Sequence, residues 1–350
     1  MSAAAVLRGE KPWHVEQADC LDFLRTLPED SVDLLFCSPP YQDARIYHEK
    51  GQKTGIARGP DEWVAWMLEV CEAASRVCCG LCACVVEGRT KAYRYSCTPF
   101  LLLADLHRRG FNLRKPPIYR RVGIPGSGGP DWLRNDYEPI ICFTRKGKLP
   151  WSDPVACGHP PLYGPGGEMS NRTQTGRRVN QWGGTETSGG NRRQDGSRQR
   201  TGSPSHEFDT EYDDPEQTLI PGAEAPSAEP SRNFTITRER AGMHSQTQPY
   251  APPVLANPGN VIDAIVGGGT MGSALCHENE APFPESLAEF FVLTFCPPGG
   301  IVCDPFVGSG TTAAVALRNG RRAIACDLRQ SQVELSCKRI SAETPSLFGE

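Results

Sequence analysis

Two short segments hold residue types that could do chemistry. The first is Ser38-Pro39-Pro40-Tyr41. Consecutive prolines remove two backbone donors and stiffen the loop, so carbonyl oxygens, a serine hydroxyl and an aromatic ring are presented together. Such an acceptor-rich pocket with a stacking wall suits a planar group bearing NH2. The second is Asp304-Pro305-Phe306-Val307-Gly308-Ser309-Gly310-Thr311-Thr312. Its glycines let a ligand approach the backbone, and the helix expected after them offers its N-terminus to a carboxylate or phosphate. A dinucleotide fingerprint would need a third glycine and a P-loop a lysine, and this segment has neither. Asp327 ends the next apolar run, where an acid can accept hydrogen bonds from a ribose diol. Each segment also has a plainer reading: a proline turn for the first, a tight βα turn with a helix-capping acid for the second.

The elements that must position these segments follow a βα rhythm. WHVEQAD reads as a strand, CLDFLRTLP as a helix with Leu21, Leu24 and Leu27 on one face, and SVDLLFC as a strand that Pro39 and Pro40 end abruptly. EWVAWMLEVCEAASRV has helical periodicity, CACVVEG is a short strand, and FLLLADLHRRGF is a helix stopped at Gly110. LRKPPIYRRV and YEPIICFTRKG read as an antiparallel pair. After about residue 260 the rhythm returns: PFPESLAEFFVLTF as a helix, then strand, glycine turn, helix, strand and a last helix to about Ile340. The expectation is an α/β fold, a mixed and mainly parallel sheet with helices on both faces. In such a sheet ligands bind at the carboxyl ends of the strands, where both segments fall.

Between about 150 and 255 the apolar periodicity vanishes. Residues 170–205 carry Arg172, Arg177, Arg178, Arg192, Arg193, Arg198 and Arg200, and residues 206–229 carry eight acidic residues with no Lys or Arg. The segment cannot bury enough apolar surface for a core of its own, so long loops or partial disorder are expected. The arginines read either as phosphate-neutralising or as a solvated loop. With 37 Lys and Arg against 41 Asp and Glu over 350 residues, the net charge of −4 excludes a uniformly basic nucleic-acid coat protein and leaves a local basic face open. No run of eighteen apolar residues and no secretory leader is seen, so an intracellular, cytoplasmic protein is expected. Many of the fifteen cysteines sit in apolar runs and read as buried thiols. The Cys78, Cys79, Cys82, Cys84 cluster has one C-x-x-C pair and no second pair near it, which argues against zinc, and no metal is expected.

Together the two segments resemble the amino-methylating DNA methyltransferases, which use S-adenosylmethionine to modify an exocyclic amino group of cytosine or adenine. Ser38 to Tyr41 resembles their catalytic motif, and Asp304 to Thr312 their Phe-x-Gly-x-Gly cofactor motif. The stretch His277 to Pro284 resembles their His-Pro-Ala-x-Phe-Pro segment, without the proline after His277, and Gln17-Ala18-Asp19-Cys20 resembles their Gly-Asp pair with Ala18 for glycine. Catalytic motif first, variable region next and cofactor motif last is the family's β-class order. The resemblance covers roughly 12–145 and 275–340.

It implies a Rossmann-like sheet of the class I methyltransferase type, with a catalytic half at 12–145, a loop-rich target-recognition region at 146–260 and a cofactor-binding half at 261–340. It assigns catalysis to Ser38, Pro39, Pro40 and Tyr41. Cofactor contact falls to Asp19, Phe283, Pro284, Asp304, Phe306, Gly308, Ser309, Gly310, Thr311, Thr312 and Asp327. Asp19 reads equally as a helix N-cap, and Phe283 as a hydrophobic staple. Arg172, Arg177, Arg178, Arg192 and Arg193 become candidate contacts to double-stranded DNA. Ser before Pro-Pro-Tyr is commoner in cytosine-N4 enzymes and Asp in adenine-N6 enzymes, so cytosine N4 is the first expectation and adenine N6 the second. Cytosine-C5 methylation needs a Pro-Cys nucleophile, and Cys37 precedes Ser38 on the wrong side. A restriction-modification context is implied, with room for a cognate endonuclease and for a monomer or a dimer. A DNA-binding protein that keeps the fold without catalysis is the alternative of another class.

Overall fold

Short β-branched and apolar runs followed by amphipathic helices build the sheet that the computed structural model shows. It describes residues 2–42, 48–49, 52–53, 59–123, 133–162, 164, 254–266 and 283–343. The chain divides into two units, Met1–Cys157 with Asn257–Glu350, and Gly158–Ala256. In the second unit His159 and Ala256 form an antiparallel bridge. Arg172, Arg177, Arg178, Arg192 and Arg193 lie outside the described residues, as do His277 to Ala281 and Pro282.

Among the described residues of the first unit, nine strands form one sheet: β1 (Trp13–Gln17), β2 (Val32–Cys37), β3 (Cys78–Val85), β4 (Asn112–Leu113), β5 (Ile118–Val122), β6 (Tyr137–Thr144), β7 (Val261–Ile265), β8 (Ile301–Asp304) and β9 (Arg322–Asp327). Their order is β1-β9-β8-β2-β3-β6-β5-β7, with β4 beside β6. The first five in that order are mutually parallel, so their carboxyl ends share one rim. β6 runs antiparallel to β3, β4 and β5, and its amino end therefore reaches the same rim. The antiparallel β5–β6 pair is the one expected from sequence. β7, parallel to β5, and the short helix α1 (Ala3–Leu7) were not expected.

Side chains alternate faces along each strand, and the central strands are apolar on both. Val32, Leu35 and Cys37 of β2 join one core with Cys78, Cys82 and Cys84 of β3, under α2 (Cys20–Thr26), α3 (Pro60–Val77) and α4 (Thr98–Arg108). Leu34 and Phe36 of β2 join the other with Leu81, Ala83 and Val85 of β3, under α5 (Glu285–Phe295), α6 (Thr311–Arg318) and α7 (Gln330–Glu343). The cysteines of β3 therefore serve as small packing residues, and burial pushes the Cys37 and Cys82 thiols up. At Gly80 any Cβ would sit 1.9 Å from the Asp33 carbonyl oxygen, beside the irregularity in β2 between Val32 and Leu34, so only glycine lets these strands close. No described helix is long and apolar enough to cross a membrane.

Candidate active site

Parallel pairing of β2 with β8 fixes the site. Val302 pairs with Leu34 and Cys303 with Leu35, so Asp304, the last residue of β8, and Ser38, the first after β2, stand at one rim on neighbouring strands. The Thr312 hydroxyl lies 3.5 Å from the Phe36 carbonyl oxygen, joining the start of α6 to the strand that feeds Ser38.

After β8 the chain turns sharply into α6. Gly308 has φ +48° and Gly310, the N-cap, φ +83°; a Cβ at Gly310 would also press to 3.0 Å from the Ser336 Cβ. Both a left-handed backbone and a close helix approach select glycine there. The turn is held by its own backbone donors: Phe306 N–H donates to Asp304 Oδ1 at 3.0 Å, and Gly308 N–H to Asp327 Oδ2 at 3.1 Å. Asp327 also accepts from Arg329 N–H at 2.9 Å. Asp304 is buried, and burial pushes its carboxyl up to about 7, against the downward pull of the Thr312 hydroxyl and the Phe306 N–H. Asp19, at the rim end of β1, caps α2 by accepting from Leu21 N–H at 2.9 Å.

The tetrapeptide after β2 has no donor at Pro39 or Pro40, and partners come from elsewhere in the chain. Trp63 Nε1–H of α3 donates to the Pro40 carbonyl at 2.8 Å. Ser38 Oγ donates to Tyr41 Oη at 3.2 Å, and Tyr41 Oη donates to Glu138 Oε2 at 2.6 Å. Burial and the nearby Glu138 charge hold the Tyr41 phenol well above its usual range. Aromatic packing joins the two segments: Phe306 meets Trp66 edge-on at 5.8 Å between ring centroids, Trp66 meets Trp63 at 6.4 Å, and Phe283 meets Phe36 at 5.5 Å. Pro284 is buried at the N-cap of α5.

Trp63, Glu138 and Arg339 were not singled out in the sequence. Arg339, buried on α7, donates to Ser309 Oγ at 3.2 Å and Thr311 Oγ1 at 2.9 Å, and pairs with Glu285. The available signal was a tryptophan at position 63 on an apolar helix face, Arg339 one turn beyond Leu335 on the last helix, and Glu138 beside Pro139 at the start of a strand.

Fold and rim together define an open α/β protein in which the proline tetrapeptide and the glycine turn leave adjacent parallel strands. A DNA methylase family model, that of the N6 and N4 methyltransferases, matches residues 32–338, and the chain belongs to this family. It is similar to the type II methyltransferase M.ScaI of Streptomyces caespitosus, 31% identical over 98 residues, covering 27% of this chain and 32% of that protein. It is also similar to the type II methyltransferase M2.DpnII of Streptococcus pneumoniae, 45% identical over 60 residues, covering 17% and 22%. The matched segments thus span a third or less of these curated relatives. Among solved structures, PvuII DNA methyltransferase (cytosine-N4-specific) shares the fold with a TM-score of 0.56 at 16% identity, over 97% of this chain and 89% of that one. The Rossmann-like fold expected from sequence is the fold observed.

Proposed function

We propose that the chain transfers a methyl group from S-adenosylmethionine to the exocyclic N4 amino group of a cytosine flipped out of double-stranded DNA. The adjacency of β2 and β8 carries this reading, because it sets the acceptor-rich tetrapeptide beside the glycine turn. The residues present fit the cofactor. Asp304 is buried, and burial disfavours its ionised form, which would gain from a positive ligand. The glycines leave the backbone bare at the turn, and Asp327 stands one strand on. S-adenosylmethionine, when bound, supplies a methyl activated on a sulfonium.

An exocyclic amino nitrogen is a poor nucleophile because its lone pair is delocalised into the ring. Ser38 Oγ and the Pro39 carbonyl accept its two N–H bonds, draw it towards tetrahedral geometry and stabilise the positive charge developing on it. Tyr41 offers a ring for stacking against the flipped base. Asp304, Phe306 and the turn from Gly308 to Thr312 hold the methionine portion, Asp327 the ribose and Asp19 the adenine, with Phe283 and Pro284 lining the pocket. The serine at position 38 supports cytosine over adenine.

Mass spectrometry of nucleosides from DNA of cells expressing the chain is expected to show N4-methylcytosine. N6-methyladenine alone would overturn the choice of base. Absence of S-adenosylmethionine binding in calorimetry at millimolar cofactor would favour a binding protein without catalysis. Ser38→Ala is expected to lower kcat by about 10²-fold and to leave the cofactor Kd within about twofold, as for loss of one positioned charge-stabilising group. Equal loss of both would make Ser38 structural.

A further inference from the structure

A serine hydroxyl is a far weaker proton acceptor than a carboxylate, yet the tetrapeptide offers a serine where the transferred-to nitrogen must shed a proton. The structure supplies a carboxylate at a distance. Glu138 comes from the amino end of β6, two strands from β2, and its carboxylate is buried, 9 % exposed. The two hydrogen bonds between Ser38 and Glu138 point the same way: Ser38 Oγ donates to Tyr41 Oη, and Tyr41 Oη donates to Glu138 Oε2. The other carboxylate oxygen faces Arg121 Nη1 of β5 at 3.3 Å. Among the described residues, Tyr119 of β5 and Glu87, just past β3, also feel the Glu138 charge.

We propose that Ser38, Tyr41 and Glu138 form a proton exit for the methylated amino group. The inference rests on the methyl-transfer reading above. Forming the nitrogen–carbon bond while the methyl–sulfur bond breaks, with the electron pair left on sulfur, leaves the nitrogen one proton too many. That proton passes to Ser38 Oγ, the Ser38 proton to Tyr41 Oη, and the Tyr41 proton to Glu138 Oε2. Each hydroxyl ends with the proton count it began with. Glu138 ends neutral and is reset by losing its proton to solvent. A neutral acceptor can therefore serve at position 38 because a carboxylate stands two hydroxyls behind it.

Burial raises the Glu138 carboxyl above its ordinary value, while the Tyr41 bond and Arg121 pull it down. As the acceptor it must be ionised, so activity falls as pH drops through its titration. The test uses the full chain with duplex DNA and S-adenosylmethionine, in single turnovers from about pH 5 to about pH 9, comparing wild type with Glu138→Gln, Glu138→Asp and Tyr41→Phe. Glu138→Gln and Tyr41→Phe are expected to lose about 10²-fold near neutral pH, the scale of a positioned proton acceptor, and to lose the acid limb. Glu138→Asp is expected to keep that limb. Glutamine can still accept from Tyr41, so a merely structural Glu138 predicts wild-type rate and profile for Glu138→Gln, and that result overturns the proposal. Infrared titration of the carboxylic-acid band in the cofactor-free protein gives a second readout. Asp304 contributes to that band as well, so the Glu138 component is the part lost in Glu138→Gln, and it should titrate at higher pH in Tyr41→Phe, where the bond that favours the carboxylate is gone. An unmoved band in Tyr41→Phe overturns the chain of hydrogen bonds. Wild type that transfers no methyl to DNA while the band shifts as expected would instead sink the methyl-transfer reading.

Discussion

The glycine turn after β8 and the proline tetrapeptide after β2 leave neighbouring strands of one sheet and are held by opposite means. In the turn, backbone N–H groups at Phe306 and Gly308 bond carboxylates of β8 and β9, and Arg339 of the last helix clamps Ser309 and Thr311. Apart from the Thr312 hydroxyl, which reaches Phe36 of β2, these partners lie between Asp304 and Arg339. The tetrapeptide has lost two N–H groups to proline, and its partners are Trp63 of α3 and Glu138 of β6. Where the backbone keeps its donors, local sequence suffices to shape a loop. Where prolines remove them, the loop is placed by side chains that only the finished fold brings near.

The difference predicts that damage to the two braces separates cofactor binding from turnover. The largest effect is expected at Arg339. Its guanidinium is buried between Ser309, Thr311 and Glu285, and Arg339→Met takes this partner from Glu285, which also pairs with Arg318. Breaking a buried pair costs about 3 kcal/mol of folding stability. The loosened turn should bind S-adenosylmethionine about tenfold more weakly, on the order of 1.4 kcal/mol. Denaturant melts and calorimetry measure the two. A stable variant with unchanged Kd would show that the turn needs no clamp.

Asp304 gives a smaller and pH-dependent effect. Folded Asp304 takes up its proton near pH 7, and the unfolded chain's aspartate near its ordinary 3.8. Between these values the folded state holds more protons, so this group's contribution to stability falls as pH rises towards 7 and stays lost above it. The shift is worth about 4 kcal/mol, of which disturbed hydrogen bonds at Thr312 and Phe306 take back about half, so Asp304→Asn should stabilise the cofactor-free protein at pH above 7 by on the order of 2 kcal/mol, with little gain at acid pH. A cationic cofactor favours the ionised form, so wild-type affinity should rise through about pH 7 and the variant's should not. A variant destabilised at every pH would mean that the carboxyl's hydrogen bonds to Thr312 and Phe306 outweigh its desolvation.

Much of this was legible in the sequence because it is local. The βα rhythm, the antiparallel β5–β6 pair and the two rim segments all follow from apolar spacing, prolines and glycines within a few residues. The N-cap at Asp19 was legible for the same reason, since a cap is read against the helix it starts. The strand order was not, because register between β2 and β8 joins residues far apart in sequence. Strand β7 alternates between exposed and buried from Val261 to Ile265, but five residues are too few to stand out in a sequence without their partner strand. Glu138 and Trp63 were missed for a related reason: a lone polar group on an apolar element shows its purpose only when its partner is placed.

The smallest effect is expected at Trp63, and it bears most directly on the contrast between the braces. The indole is buried, 1 % exposed, and its N–H bonds the Pro40 carbonyl while its ring packs against Trp66. Trp63→Phe keeps an aromatic ring and removes the donor, leaving that carbonyl without this partner, at a cost of about 1 kcal/mol. Because Trp63 braces the tetrapeptide and not the turn, kcat should fall by about fivefold, the equivalent of that 1 kcal/mol appearing in the barrier, with the cofactor Kd unchanged. A Kd that weakens in step with kcat would show that the row Trp63–Trp66–Phe306 transmits the loss to the turn, and that the two braces act as one.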